Sequence, residues 1–223
     1  MTTTSPTTPG CDTHDMVVVH RAFRREFALL PRMVRAVPPG DFAQVGVICT
    51  HAREMITMLH HHHTGEDELL WPRLRERVEI DADLVDRAEA QHEVISRLMA
   101  ELDDALRRFA ETADPRSGSE LASVLDQVSI ALNEHLEEEE KLILPIVAVT
   151  LSVAEWEQLA EAGMASMSKP RLLVLLGHIL EDADEQERAA FLEHVPLPAR
   201  IGYRLIGHRR YLRETAAQRR DLR

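Results

Sequence analysis

The sequence predicts an all-α protein: an up-down-up-down four-helix bundle followed by additional C-terminal helices. Three observations carry that expectation. The composition pairs 44% hydrophobic and 29% charged residues with only nine glycines, a balance that suits long amphipathic helices. Apolar residues recur every three to four positions along four stretches of roughly 25 to 35 residues, as one buried helix face requires. Breaks containing Pro, Gly and Asp separate these stretches, and connections of about 4 to 8 residues join antiparallel neighbours.

In chain order, residues 1–12 are Thr/Pro-rich without apolar period and read as a disordered leader. Helix one starts near Asp12 or Thr13, either able to cap it, and ends at Pro38-Pro39-Gly40. At about 100° per residue, Val17, Phe23, Phe27 and Val34 lie within about 60° of His20, so His20 sits on the inward stripe. Helix two opens at Asp41 and carries His51, Met55, Met58, His62, Glu66 and Leu69 on one face. Pro72 removes a backbone donor and is expected to kink or end it. Helix three, from Asp81 or Asp83, has the stripe Val85, Ala88, His92, Ile95, Met99, Leu102, Leu106 and Phe109. Asp114-Pro115 closes it, and Ser117 or Ser119 caps helix four, whose stripe runs Leu121, Leu125, Val128, Leu132, His135, Glu139, Leu142 and Ile146.

Residues 13–150 thus form the bundle, and 151–223 an extension of about three helices. Ser152 and Ser168 read as caps there, and Val195-Pro196-Leu197-Pro198 as a break. The run Leu172-Leu173-Val174-Leu175-Leu176 must pack on the bundle or on a partner. The last helix, from about Ala199, is basic: residues 200–223 hold eight Arg against Glu214 and Asp221. That tail reads first as a helix lying on its own acidic bundle, with contact to a partner or a membrane surface through 199–223 as the other use.

The net charge of −12 argues against nucleic acid as the main partner. No run approaches the ~20 apolar residues of a transmembrane segment. The first residues have neither the basic nor the apolar region of a signal peptide, and two cysteines, Cys11 and Cys49, make no disulfide framework. A cytoplasmic location is the expectation.

The chemistry concentrates in an internal repeat. Placing Pro72 on Pro145 superimposes His62 on His135, Glu66 on Glu139 and Asp67 on Glu140, and a similar offset puts His20 on His92. Each half thus supplies one lone His and one His-x-x-x-Glu. Residues i and i+4 of a helix lie about 6 Å apart along the axis on nearly one face, so such a pair can grip one cation while the Glu reaches a second. Imidazole and carboxylate donors suit iron, manganese or zinc. Within His60-His61-His62-His63 only one ring can point straight at the bundle centre. His62 has both that angle and a Glu four residues on, so His60, His61 and His63 become supporting or surface groups, with His63, and after it His61, as the reserve for a further ligand. Glu137, Glu138 and Glu140 read as a solvated acidic face, and His178, His194 and His208 take no metal.

These residues resemble the hemerythrin-like (HHE cation-binding) family, and the likeness covers about residues 13–150. It implies that His20, His62, Glu66, His92, His135 and Glu139 hold a non-haem pair of iron ions, oxo- or hydroxo-bridged, with both glutamates bridging. The chain departs from oxygen-carrying hemerythrin on helix three, where a His-x-x-x-His would be expected: Ser96 follows His92 by four residues and Ala88 precedes it by four. The fifth imidazole must then come from His63 or from the C-terminal helices, or be missing, leaving an extra open position. The resemblance points to the bacterial members that meet small oxidants (H2O2, O2 or NO). It implies peroxide decomposition or oxidative and nitrosative stress response, by a catalase-like or NO/peroxide-reactive oxidoreductase with a separate electron donor. An iron or oxygen sensor, or an O2-binding protein, signalling through the C-terminal helices is the alternative.

Overall fold

The computed structural model describes residues 10–77, 82–165 and 168–222. Four antiparallel rods form the bundle: α1 (His14–Ala36); α2 (Phe42–Gly65) continuing into α3 (Trp71–Arg77); α4 (Ala82–Thr112); and α5 (Pro115–Glu138) continuing into α6 (Leu144–Thr150). The first rod packs against the second and fourth, and the third also packs against both, so first and third are diagonal. Helix starts follow local chemistry. Asp12 Oδ1 accepts the His14 N–H and Asp41 Oδ1 accepts that of Gln44. The cap of α5 is Asp114 rather than Ser117 or Ser119: its Oδ1 accepts the Arg116 and Ser117 N–H groups, and Pro115 takes the first helical position, where no donor is needed. The start expected near Asp81 falls outside the described residues. So do residues 1–9 of the leader, while Cys11 is buried and its N–H donates to the Ala148 carbonyl at 3.1 Å.

Pro72 does not end its helix, nor does Pro145. A single wide π-helical turn precedes each, Glu66–Leu70 and Glu139–Ile143, closed by Trp71 N–H to Glu66 O and Leu144 N–H to Glu139 O. In a regular helix each proline ring would meet the carbonyl four residues back; the wider turn relieves that clash and lets the rod continue. The extra residue also shifts the apolar phase. The inward stripe predicted through Leu69, and through Leu142 and Ile146, moves to Leu70, Trp71 and Leu74, and to Ile143, Leu144 and Val147, leaving Leu142 46% exposed.

Two apolar clusters fill the bundle. One includes Phe23, Phe27, Leu59, Ile95 and Leu132; the other includes Met16, Trp71, Ala88, Ile143 and Val147. The layer between them is polar: His20, His62 and His92 each fall between the last residue of one cluster and the first of the other, and His135 stands beside Leu136, the last residue of its cluster on α5. Past the bundle come α7 (Val153–Ala165), α8 (Lys169–Ile179), α9 (Glu185–His194), and α10 (Leu197–Gly202) joined through a π turn (Tyr203–Gly207) to α11 (His208–Gln218), more helices than the three expected. The apolar run of α8 divides: Leu175 enters the bundle core, while Leu173 and Leu176 pack with Leu180 and Tyr203. The basic tail lies on acidic groups of its own chain: Arg220 on Asp41, Arg219 on Glu26 and Glu181. Among the described residues no helix is long and apolar enough to cross a membrane, and Cys11 and Cys49 are free thiols.

Candidate metal centre

Four rods deliver seven donors to the polar layer. His63, Glu66, His92 and His135 offer one atom each within 4.8 Å of one another, and His20, His62, Glu66 and Glu139 form a second such group. All six residues of the repeat are therefore brought together, and Glu66 belongs to both groups. His63 joins them from the position beside His62, through a ring stacked on that of His92 with centroids 4.1 Å apart. His61 belongs to neither group. Its half-buried ring lies beside that of His60, at 5.6 Å between centroids.

The ring nitrogens converge. His92 Nε2 and His135 Nε2 stand 3.1 Å apart, and His20 Nε2 and His62 Nε2 3.2 Å apart. Two nitrogens each about 2.1 Å from one cation, at right angles, would be about 3.0 Å apart. The far side of three of these rings is held by an acceptor. His20 Nδ1 donates to Glu140 Oε1 (2.9 Å), His92 Nδ1 to Asp67 Oδ1 (2.7 Å) and His135 Nδ1 to Gln91 Oε1 (3.1 Å). With the proton on Nδ1, the Nε2 atoms of His92 and His135 present bare lone pairs to each other, an arrangement that a cation between them would turn from repulsive to attractive.

The carboxylates make the same case. Glu66 and Glu139 are fully buried, and none of their four oxygens has a hydrogen-bond partner. Imidazoles surround them: Glu66 lies 3.1 Å from His62 Nε2 and 3.5 Å from His92 Nε2, and Glu139 lies 3.5 Å from His20 Nε2 and 3.8 Å from His135 Nε2. Burial, with the facing Glu139, holds the Glu66 carboxyl well above the ordinary carboxylate range, and burial likewise raises Glu139. Burial and the neighbouring rings push His62 and His63 well below the usual imidazole value, and His135 down to about 2. The rings of His62, His63 and His135 are thus neutral donors, and no Lys or Arg pairs with either buried carboxyl. Buried charge is tolerated only when paired or bound to metal. The donor set fits cations.

Three supporting residues were missed or misread from sequence. Glu140, expected on the solvated face, holds His20 and also accepts from Arg24 Nη1 at 2.6 Å. Asp67 holds His92 and accepts from Trp71 Nε1 at 2.9 Å. The repeat carried the signal, since an acid follows the Glu of each His-x-x-x-Glu and these two acids occupy equivalent positions. Gln91, beside His92, had no such signal. A second buried cluster arises from Glu26, His51 and His178. His51 Nε2 donates to Glu26 Oε2 at 2.9 Å and His178 Nδ1 to Glu26 Oε1 at 3.0 Å, while Arg25 and Arg219 donate to the same carboxylate. Burial opposes the charge on Glu26, but the two imidazole hydrogen bonds outweigh it and hold its carboxyl far below the ordinary range. Glu26, His178 and Glu181 also come within the 4.8 Å of a ligand group; two guanidinium groups already neutralise them.

A four-helix bundle with histidines and glutamates meeting in its middle layer is the architecture of a cation-binding domain. The sequence profile of the hemerythrin HHE cation-binding domain matches residues 11–147, and the chain belongs to that family. Its members bind metal cations, typically iron. No curated protein and no solved structure matches the chain significantly.

Proposed function

We propose that this chain is a non-haem di-iron protein that binds and reacts with small oxidants (hydrogen peroxide, O2 or NO), with peroxide decomposition as the leading activity. The four partnerless carboxylate oxygens of Glu66 and Glu139, ringed by five imidazoles, carry the reading. His63, His92 and His135 would hold one ion, His20 and His62 the other, with Glu66 shared and Glu139 on the second. His63 thereby takes the place of the missing second histidine on the third rod. When bound, two iron ions supply redox change and coordination positions for a small oxidant. Asp67, Glu140 and Gln91 keep the proton of each supported ring on Nδ1, so that Nε2 stays a donor. Apolar layers close the centre above and below, with Phe23 5.2 Å from the His62 ring. The same donor types admit manganese or zinc. Elemental analysis with an optical spectrum tests the metal, and stopped-flow mixing with peroxide while following evolved oxygen tests the activity. Two iron ions per chain with peroxide consumed is the expected outcome; a purified chain that retains no cation refutes it.

A second reading, a sensor signalling through its C-terminal helices, draws on Glu26. That carboxylate ties α1 to α2 through His51, to α8 through His178 and to the end of α11 through Arg219. Proteolysis of residues 151–223 with and without iron separates the two, since unchanged cleavage speaks against sensing.

A further inference from the structure

The seam between α2 and α4 is polar at the height of the centre. On α2 and the π turn that continues it, His60, His63, Thr64 and Asp67 are spaced i, i+3, i+4, i+7 along one face. On α4, Glu89, His92, Glu93 and Ser96 do the same, so two polar stripes meet where apolar ones would close the gap. The result is a solvent-open groove of about 700 Å³ lined by these residues. Its floor is formed by His63 and His92, both only 5% exposed and both in the ligand group described above. His63 Nε2, buried, has no hydrogen-bond partner. Its rim carries three carboxylates, Asp67, Glu89 and Glu93, against the guanidinium of Arg97 and the exposed imidazole of His60; Glu89 is also paired at 2.9 Å with Arg75, a guanidinium that Asp86 shares at 2.7 Å.

We propose that this groove is the route by which a divalent cation is captured and delivered to the centre, a deepening that rests on the di-metal reading above. The acidic rim concentrates cations, since a cleft lined by one sign of charge raises the local concentration of its counter-ion and the association rate. His60 takes the arriving ion, which passes over Thr64 to His63, one turn further along α2. This accounts for His60, one of the two histidines of the His60–His63 run that coordination at the centre leaves unused.

The test follows uptake by the metal-free full chain, mixing it anaerobically with Fe(II) or, as a coloured probe, Co(II). Glu89→Lys with Glu93→Lys reverses the rim charge, Ser96→Trp fills the groove without changing charge, and His60→Ala removes the capture group. Glu111→Lys with Glu120→Lys makes the same charge change on exposed positions at the far end of α4 and the start of α5. The rim variant is expected to load about tenfold more slowly at low salt, with the gap narrowing as salt screens it. Ser96→Trp and His60→Ala slow loading at all salt concentrations, and every variant reaches the wild-type final stoichiometry. Wild-type rates in both the rim and Ser96→Trp variants overturn the route and place access elsewhere, such as beside His62, whose side chain is 10% exposed. Equal slowing by the remote pair overturns it too, because global charge would then be the cause. A wild-type chain that takes up no cation refutes the di-metal reading itself, which is a different failure.

Discussion

Replacing Glu66 by Gln should stabilise the metal-free protein and destabilise the loaded one relative to wild type. Both Glu66 oxygens are buried without a hydrogen-bond partner, and a second carboxylate, Glu139, faces them. A buried unsatisfied polar group costs about 1–3 kcal/mol, and more when charged. The amide keeps the shape and loses the charge, so the metal-free variant should gain about 1–3 kcal/mol. In a chain of this size that is roughly 2–12 °C in melting temperature. With cation at 100 times its dissociation constant, each bound ion adds about 2.7 kcal/mol to wild type, about 5 kcal/mol for two. The variant, stripped of the shared ligand, forfeits most of this, and the order inverts. Calorimetry or circular-dichroism melting of both forms, with a chelator and with Fe(II) under nitrogen, reads the crossing. If Glu66→Gln lowers the melting temperature equally in both, Glu66 is a structural group and the reasoning fails.

Further outcomes follow from the same geometry. His63→Ala should weaken one of the two cations selectively and alter the optical spectrum of the loaded protein, whereas His61→Ala leaves titrations unchanged; identical binding in both would remove His63 from the ligand set. Asp67→Asn and Glu140→Gln, which disturb the acceptors of His92 Nδ1 and His20 Nδ1, should each cost about 10–100-fold in metal affinity with the fold intact, measurable by competition with a chromogenic chelator. Glu26→Gln should destabilise the protein by about 3–5 kcal/mol, because it leaves Arg25 and Arg219 short of their buried counter-charge. Its pH signature is set by sign. The folded carboxyl is depressed, so its contribution is present above the unfolded value of about 4.3 and is lost only as pH falls through the depressed one. Denaturation curves should therefore show a constant gap between wild type and variant from pH 8 to pH 5 and a narrowing gap in strong acid. A gap that closes near pH 6 would mean that the histidines, not Glu26, govern the cluster.

Much of this molecule follows from local periodicity. The four rods, the inward phase of His20, His62, His92 and His135, and the equivalence of the two halves were legible because a helix face repeats every 3.6 residues whatever it packs against. The 73-residue offset between His62 and His135 even carried the pairing of Asp67 with Glu140. Other features were not local. The wide turns at Glu66 and Glu139 slide the apolar phase by one residue, so Leu142 is exposed and Ile143 buried, a consequence of how each proline is accommodated within a continuing rod. His63 lies about 100° from His62 on an ideal wheel, and only the closeness of α4, which brings the His92 ring against it, makes it a partner in the centre. Glu26 joins groups separated by up to 193 residues, and no spacing rule connects it with Arg219. The sequence by itself determined the inward phase and the height of the six repeat residues. The tertiary structure alone decided which of them touch, because contact between helices depends on the third dimension of packing, and a one-dimensional period specifies an angle but never a neighbour.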